Sequence, residues 1–455
     1  MSAYDAYIQQ HQTRYVDELI TFCRQPSLSA TGQGMETMAQ MVARRLQQLG
    51  ANVKTLTVDN SYPYIWAEIG SGKSTLLLYN HYDVQPARYE DGWTNPPFAP
   101  VIHNGQLFAR GVADNKANLL FRIQAIEAYM AAWGELPFRI VFFVEGEEEI
   151  GSLRLPAFVQ KYPSLVQADG CIWESGRKGY AGRPELVLGL RGIWYGELSL
   201  RADSREPHSS WANIIANPAI PLVQRLCQVV ESLTDGAGQV AFSDLSPDSF
   251  PIAAEDLELL GKIPFDLSTL AQKHHLTLYP DLTPQEALRR LLFTPSCNVC
   301  GLGVGYTEPG VKTIIPNRAF VKIDMRLPVG LTPDEAETQL RRHLSRHGFG
   351  DVEVKRLLGL DAARTSPNSA IAQAVQRAVE KCYNVVPIVY PLMPASGPMY
   401  DLCQVFGTPT ISFGAGHPAD NVHDVDENIY LDDYFAAIHC FGEIIRQFAL
   451  LHYNP

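Results

Sequence analysis

A scattered set of acids and histidines stands out in this sequence: His81 and Asp83, Asp114, Glu148 and Glu149, Glu174, and His423. Each falls just beyond a run that reads as a strand. Imidazoles mixed with carboxylates are the ligand chemistry of a paired divalent-metal centre, with one carboxylate to spare for proton transfer. If these residues converge in space, the chain is a hydrolase.

Each segment has its own logic. His81 and Asp83 sit two apart past an apolar strand, so continued strand geometry points both side chains the same way. A histidine ligand needs an acceptor on its second ring nitrogen, and Asp83 is placed to supply it; the plainer reading is a strand-end histidine beside a surface acid. Asp114 follows Arg110-Gly111 and precedes a helix. As a loop carboxylate it can bridge two ions, one oxygen to each, or simply cap the helix. The run Glu145-Gly-Glu147-Glu148-Glu149-Ile-Gly-Ser152 directly follows a buried strand. Acids packed there repel one another unless cations neutralise them; a solvated acidic turn is the alternative. Within the run, one Glu can bind metal while its neighbour takes a proton from water and passes it to a leaving amine.

Another segment, Gly70-Ser-Gly-Lys-Ser-Thr75, imitates a phosphate-binding loop. Ala67 occupies the first glycine position, and a strand follows where that loop needs a helix. A turn between two strands explains it. Cys297-Asn-Val-Cys300 has no second cysteine pair and no nearby histidines, and reads as two buried thiols in a strand.

The elements that must position these residues are legible from periodicity. Met38, Val42, Leu46 and Leu49 keep helical spacing, and Gly50 stops the helix. Thr75–Tyr79 and Phe138–Val144 read as buried strands. Residues 115–133 read as a helix, with Leu119, Leu120, Ile123, Ile126 and Met130 on one side. This alternation predicts an α/β layer with a mostly parallel sheet flanked by helices. From about residue 193 the pattern changes. Leu198, Leu200 and Ala202 alternate with polar residues, as do Ala319, Val321, Ile323, Met325 and Leu327, which predicts a sheet with one wet face. Asn217-Pro218 opens a helix to about Leu233, and Thr332-Pro-Asp-Glu335 is a capping box. Residues 193–363 therefore read as an inserted α+β domain, with 234–294 an elaboration of it. The first pattern returns with a helix capped at Ser366 and strands at Val386–Tyr390 and Pro409–Phe413. Residues 1–192 and 364–455 then make one discontinuous domain.

The bulk numbers agree. The length allows about two to three domains. A formal net charge of -12 argues against nucleic-acid or anionic-membrane surfaces. Met1-Ser-Ala-Tyr-Asp carries no signal-peptide pattern, and no apolar run is long enough to span a bilayer. Eight cysteines in so long a chain make no disulfide framework. The expectation is a cytoplasmic protein with no nucleic-acid or membrane partner.

Nearly the whole chain resembles the M20 family of metallopeptidases, particularly its non-specific dipeptidases and related carboxypeptidases. The resemblance is carried by Asn80-His81-Tyr-Asp83-Val-Gln-Pro, Arg110-Gly-Val-Ala-Asp114-Asn-Lys, Glu145-Gly-Glu-Glu-Glu149-Ile-Gly-Ser and Asn421-Val-His423-Asp-Val-Asp-Glu427-Asn. It implies two divalent ions per subunit, zinc before manganese or cobalt. Asp114 would bridge them, His81 and Glu174 would complete one site, and Glu149 and His423 the other. The family register makes Glu148 the general base and Asp83 the residue orienting His81, with a cis peptide after Asp114. His417 competes with His423, but only His423 stands in the family's His-x-x-x-Glu-Asn frame.

The inserted domain would be a lid through which the chain forms a homodimer. His208 would reach the partner's site and polarise the scissile carbonyl. Arg326 would bind the substrate's terminal carboxylate, its place in the alternation pointing it away from the core. Ser396, and less directly Asn298, would line the substrate site. Ala212-Asn213, Pro394-Ala-Ser396 and Asp114-Asn-Lys-Ala117 depart from the family's usual Gly-Gly, Gly-Gly-Ser and Asp-Asp-Lys-Gly. All touch substrate-facing loops, and none is a proposed ligand. The implied activity is dipeptidase or carboxypeptidase. The alternatives are an N-acyl-amino-acid deacylase or desuccinylase on the same scaffold, and a non-catalytic binding protein.

Overall fold

The computed structural model describes residues 2–179, 182–242, 245 and 249–452. Two compact units divide the chain: Met1–Gly189 with Arg364–Leu392 and Gly397–Pro455, and Leu190–Ala363 with Met393–Ser396.

The principal elements, in chain order, begin with helices α1 (Ala3–Arg24) and α2 (Met35–Gln48). Strands β1 (Asn52–Leu56), β2 (Tyr64–Ile69) and β3 (Thr75–His81) follow, then α3 (Ala117–Trp133), β4 (Arg139–Glu145) and β5 (Gly170–Trp173). Next come β6 (Gly192–Arg201), α4 (Ala219–Ser232), β7 (Ser296–Val304), β8 (Arg318–Leu327), α5 (Pro333–Arg346) and β9 (Glu353–Leu360). The chain closes with α6 (Ala370–Tyr383), β10 (Thr410–Ser412) and α7 (Leu431–His452).

The first unit is built on a six-stranded sheet of order β1-β2-β4-β3-β5-β10. The four strands β4, β3, β5 and β10 run parallel; β2 is antiparallel to β4 and β1 to β2. All seven residues of β3 are buried. That explains its unbroken apolar run: a strand covered on both faces has no polar alternation. Leu76, Leu77 and Leu78 are fully buried, each such side chain contributing about 1.5–3 kcal/mol. Helices α1 and α7 pack along α3, and α6 along α7. The α/β class and mostly parallel sheet expected from the sequence are found.

The turn at Gly70–Ser74 joins β2 to β3, so it cradles no phosphate. Ser366 is not the cap of α6. Its Oγ accepts from the N–H of Asn368 in a local turn, and Ser369 caps the helix by accepting from Ala372. The first turn of the expected 115–133 helix is replaced by a wider turn over Val112–Lys116, in which Asp114 leaves the helical region at φ -127°, ψ 87°.

The second unit is a four-stranded antiparallel sheet of order β7-β8-β6-β9. The odd-numbered residues of β8 from Ala319 to Leu327 are buried and the even ones are not. Leu198, Leu200, Val321, Ile323 and Met325 pack against Leu226 and Val229 of α4 and Leu340 and Leu344 of α5. One face of the sheet is thus covered, and Arg326 lies on the other. The capping box at Thr332 is present in full. Cys297 is half-buried in β7, but Cys300 is exposed, because a bulge between Val299 and Gly301 breaks the register there. The expected pair of buried thiols is therefore half right. No helix among the described residues is long and apolar enough to cross a membrane.

Candidate metal centre

In the first unit most candidate residues stand beyond the carboxyl ends of the parallel strands, where open α/β sheets bind ligands, while Asp114 sits in the turn before α3. His81 ends β3, Glu174 follows β5, and the turn Glu148–Ile150 follows β4. The His423 loop lies beyond β10.

Their side chains converge. His81 Nε2 lies 2.9 Å from Asp114 Oδ1 and 3.4 Å from Glu174 Oε2. His423 Nε2 lies 3.2 Å from Asp114 Oδ2 and 3.1 Å from Glu149 Oε2. Asp114 thus offers one oxygen to each histidine. Donors around a tetrahedral ion with bonds of about 2.0–2.1 Å stand about 3.3 Å apart, close to these separations. Glu174 Oε2 is buried with no hydrogen-bond donor among the described residues, as a ligand atom awaiting a cation would be. Asp114, Glu149 and His423 each present a ligand atom, all within 4.8 Å of one another. The donor set fits divalent cations.

The electrostatics fit as well. Burial alone would lower His81, yet Glu174, Asp114 and Asp83 raise it well above its ordinary value. Hydrogen bonds to Asp114 and Glu149 push His423 up to about 10. Burial pushes Glu174 up to about 8, with Asp114 adding to it. Burial and then the neighbouring Glu174 hold Glu148 well above the usual carboxylate range. So many protons retained in one spot mark a surplus of acids that cations would neutralise.

His81 Nδ1 faces the main-chain oxygen of Asp83 at 3.0 Å and its Oδ1 at 3.3 Å. The main chain is thus the nearer acceptor. Asp83 Oδ2 meanwhile accepts the N–H of Glu149 at 3.0 Å, linking the two halves of the cluster. Glu145 and Glu147 turn away from it. Glu145 Oε1 accepts from Tyr79 and Ser152, and Glu147 Oε1 from the N–H of Tyr62 and from Arg154. His417 is buried against Asn428, 3.0 Å from Oδ1, and takes no part. The peptide bond between Asp114 and Asn115 is cis.

Two supporting residues escaped the sequence reading. Gln85 donates its main-chain N–H to Glu149 Oε1 at 3.1 Å and its amide to Oε2 at 2.9 Å. Glu427 Oε1 accepts from the N–H groups of Ala113 and Asp114, and its Oε2 from Gly111 and Arg110. Both lie inside the quoted motifs, so proximity in sequence was the available signal. Gly111 is required at its place: its φ is +80°, and a Cβ there would meet Val84 at 2.3 Å.

In the second unit, Arg326 Nη1 donates to Ser396 Oγ at 2.9 Å, and Ser396 donates to the Gly192 carbonyl at 3.1 Å. Asn298 pairs with Asp324, two residues along β8 from Arg326, and its exposed amide reaches Cys300 Sγ at 3.6 Å. His208 is exposed. Its Nδ1 accepts the N–H of Ser210 at 3.1 Å, so the ring proton sits on Nε2, 3.0 Å from Thr313 Oγ1.

The chain is similar to known proteins over most of its length. The model of peptidase family M20/M25/M40 matches residues 77–447. The Beta-Ala-His dipeptidase of Rattus norvegicus is 28% identical over 98% of this chain and 95% of its own. The Cys-Gly metallodipeptidase of Saccharomyces cerevisiae is 27% identical over 85% of this chain and 82% of its own. The crystal structure of an M20 family metallo-carboxypeptidase from Sulfolobus solfataricus superposes with a TM-score of 0.88 at 34% identity, covering 96% of this chain and 99% of that one. The chain belongs to peptidase family M20 and is a hydrolase of peptide bonds.

Proposed function

We propose that this chain is a two-metal dipeptidase or carboxypeptidase whose ions are held by His81, Asp114, Glu149, Glu174 and His423. The observation that carries the reading is Asp114, whose two carboxylate oxygens face the Nε2 atoms of two different histidines. Asp114 would bridge the ions, His81 and Glu174 completing one set and Glu149 and His423 the other. Zinc suits this mixture of imidazole and carboxylate, with manganese or cobalt as substitutes. Bound there, the ions supply Lewis acidity to the scissile carbonyl and make water more acidic.

The chain's own groups do the rest. Burial, and then the neighbouring Glu174, make Glu148 hold a proton more tightly than an ordinary carboxylate does. It would take one from the attacking water and give it to the departing amine. Asp83 would keep His81 in one orientation. Arg326, steadied by Ser396, would bind the substrate's terminal carboxylate with its fork of donors, with Asn298 beside it on the sheet.

His208 has the tautomer needed to donate from Nε2 to a developing oxyanion. Acting from a partner subunit, it requires a homodimer formed through the second unit. The exposed edge strand β7, with Val299 and Leu302 open to solvent, supports such an association.

Small dipeptides are the proposed substrates, in keeping with relatives named for Beta-Ala-His and Cys-Gly. A second reading, hydrolysis of N-acyl amino acids, draws on the same Arg326–Ser396 pair, since those substrates also end in a free carboxylate. A panel of dipeptides, C-terminally blocked dipeptides and N-acyl amino acids, assayed with defined metals, decides between them. Turnover of N-acyl amino acids alone would overturn the dipeptidase reading.

A further inference from the structure

Arg122 stands in the middle of α3 with its side chain wholly buried. Among the described residues it forms no ion pair. A buried guanidinium without a counter-ion is strongly destabilising unless other groups satisfy it. Here carbonyl oxygens satisfy the two Nη groups, while Nε has no partner among the described residues. Nη1 donates to the main-chain oxygen of Tyr79 at 2.7 Å and to Asn80 Oδ1 at 2.9 Å, with Ile172 O at 3.4 Å. Nη2 donates to the main-chain oxygens of Trp173 and Phe413. These acceptors lie at or just past the carboxyl ends of β3, β5 and β10. One planar guanidinium therefore ties together the carboxyl ends of three parallel strands.

The network continues. Asn80 Nδ2 donates to Asn115 Oδ1, and Asn115 Nδ2 donates to the Glu174 main-chain oxygen at 3.1 Å. Asn80 precedes His81, Asn115 follows Asp114, and Trp173 precedes Glu174. Arg122 thus reaches, directly or through one amide, the immediate neighbour of every ligand assigned to one ion. Glu149 is steadied from elsewhere, by Gln85 and Asp83.

We propose that Arg122 is a positioning residue for the metal centre, fixing the strand ends that aim His81, Asp114 and Glu174 at a shared ion. The inference rests on the two-metal reading above. It assigns to α3 control over the affinity and geometry of one ion more than of the other, which shares only Asp114 with it.

The test uses Arg122→Lys, which keeps the charge but loses the fork, and Arg122→Met, which loses both at similar volume. Metal-depleted full-length protein is titrated with Co2+ and followed by visible absorption, with circular dichroism verifying the fold. Wild type should take up two ions. In Arg122→Lys one ion should bind about 10–100-fold more weakly, the usual effect of losing a partner that orients a ligand, with an altered cobalt spectrum. The other ion, held by Glu149 and His423 as well as the shared Asp114, should be weakened less. Adding Glu174→Gln to Arg122→Lys should weaken binding little beyond Glu174→Gln alone, because both act on one ion, whereas adding His423→Ala should have its full separate effect.

Folded variants that bind both ions with wild-type affinity and spectrum would overturn the proposal. So would rescue by Lys of everything lost in Met, which would make the role one of charge alone. If only Arg122→Lys folds, its titration decides. A wild-type protein that binds fewer than two ions overturns the two-metal reading and this inference with it. Two ions in wild type with unchanged variants overturns this inference only.

Discussion

The main-chain N–H of Asp114 donates to Glu427 Oε1 at 3.0 Å, across 313 residues of sequence. The same oxygen accepts from Ala113 at 2.8 Å, and Oε2 accepts from Gly111 and Arg110, each at 2.8 Å. One buried carboxylate therefore holds the loop of the proposed bridging ligand from a residue four past His423.

Glu427→Gln replaces one of those acceptor oxygens with a donor, leaving a buried Arg110 or two N–H groups unpaired. Breaking a buried charge pair in this way destabilises by about 3–5 kcal/mol. Chemical denaturation should show that loss, together with weaker metal retention after dialysis. Wild-type stability would remove Glu427 from the support of the centre.

Glu148→Gln should keep both ions and lose at least about 10²–10⁴-fold in kcat, the contribution of a positioned general base. Metal analysis and steady-state kinetics on the same sample provide the check. Full turnover in this variant is incompatible with the proposed proton path.

Ion binding should release protons. In the metal-free chain, hydrogen bonds to Asp114 and Glu149 keep His423 protonated up to about 10, and burial keeps Glu174 protonated up to about 8. Both must lose their protons to bind a cation. The sign follows: below these values the apparent association constant climbs as pH rises, and it levels off once the groups ionise unaided. Calorimetric titrations at pH 7 in buffers of different ionisation enthalpy should register that release. A binding enthalpy independent of buffer would contradict it.

His208→Ala should lower kcat by about 10²–10³-fold, as loss of one oxyanion donor does. Mixing His208→Ala with inactive Glu148→Gln tests the partner-subunit role. Hybrid dimers regain one complete site if His208 acts in trans, so activity should reappear after subunit exchange. Activity that stays flat assigns His208 to its own subunit.

Much of the first unit was readable because His81, Glu149, Glu174 and His423 follow apolar strands, and a parallel sheet gathers such ends on one edge. Asp114 joins those four from the turn before α3, held there by Glu427. The supporting residues were hidden for a physical reason too. Glu427 and Gln85 act largely through main-chain N–H groups, which leave no residue-type signature. Arg122 sits on a helix read as one-sided, but α3 is covered by α1 and α7 as well as by the sheet, so a polar residue off the apolar stripe was buried rather than solvated. Ser366 misled because Ser and Pro at a helix approach resemble a cap, while the Asn368 N–H had already claimed its hydroxyl.

The most direct test of the two-metal account is a titration of metal-depleted protein with Zn2+ against dipeptide hydrolysis. The account predicts negligible turnover without metal and activity that climbs to a plateau at two equivalents per subunit. Full activity at one equivalent, or hydrolysis that survives complete metal removal, would contradict it.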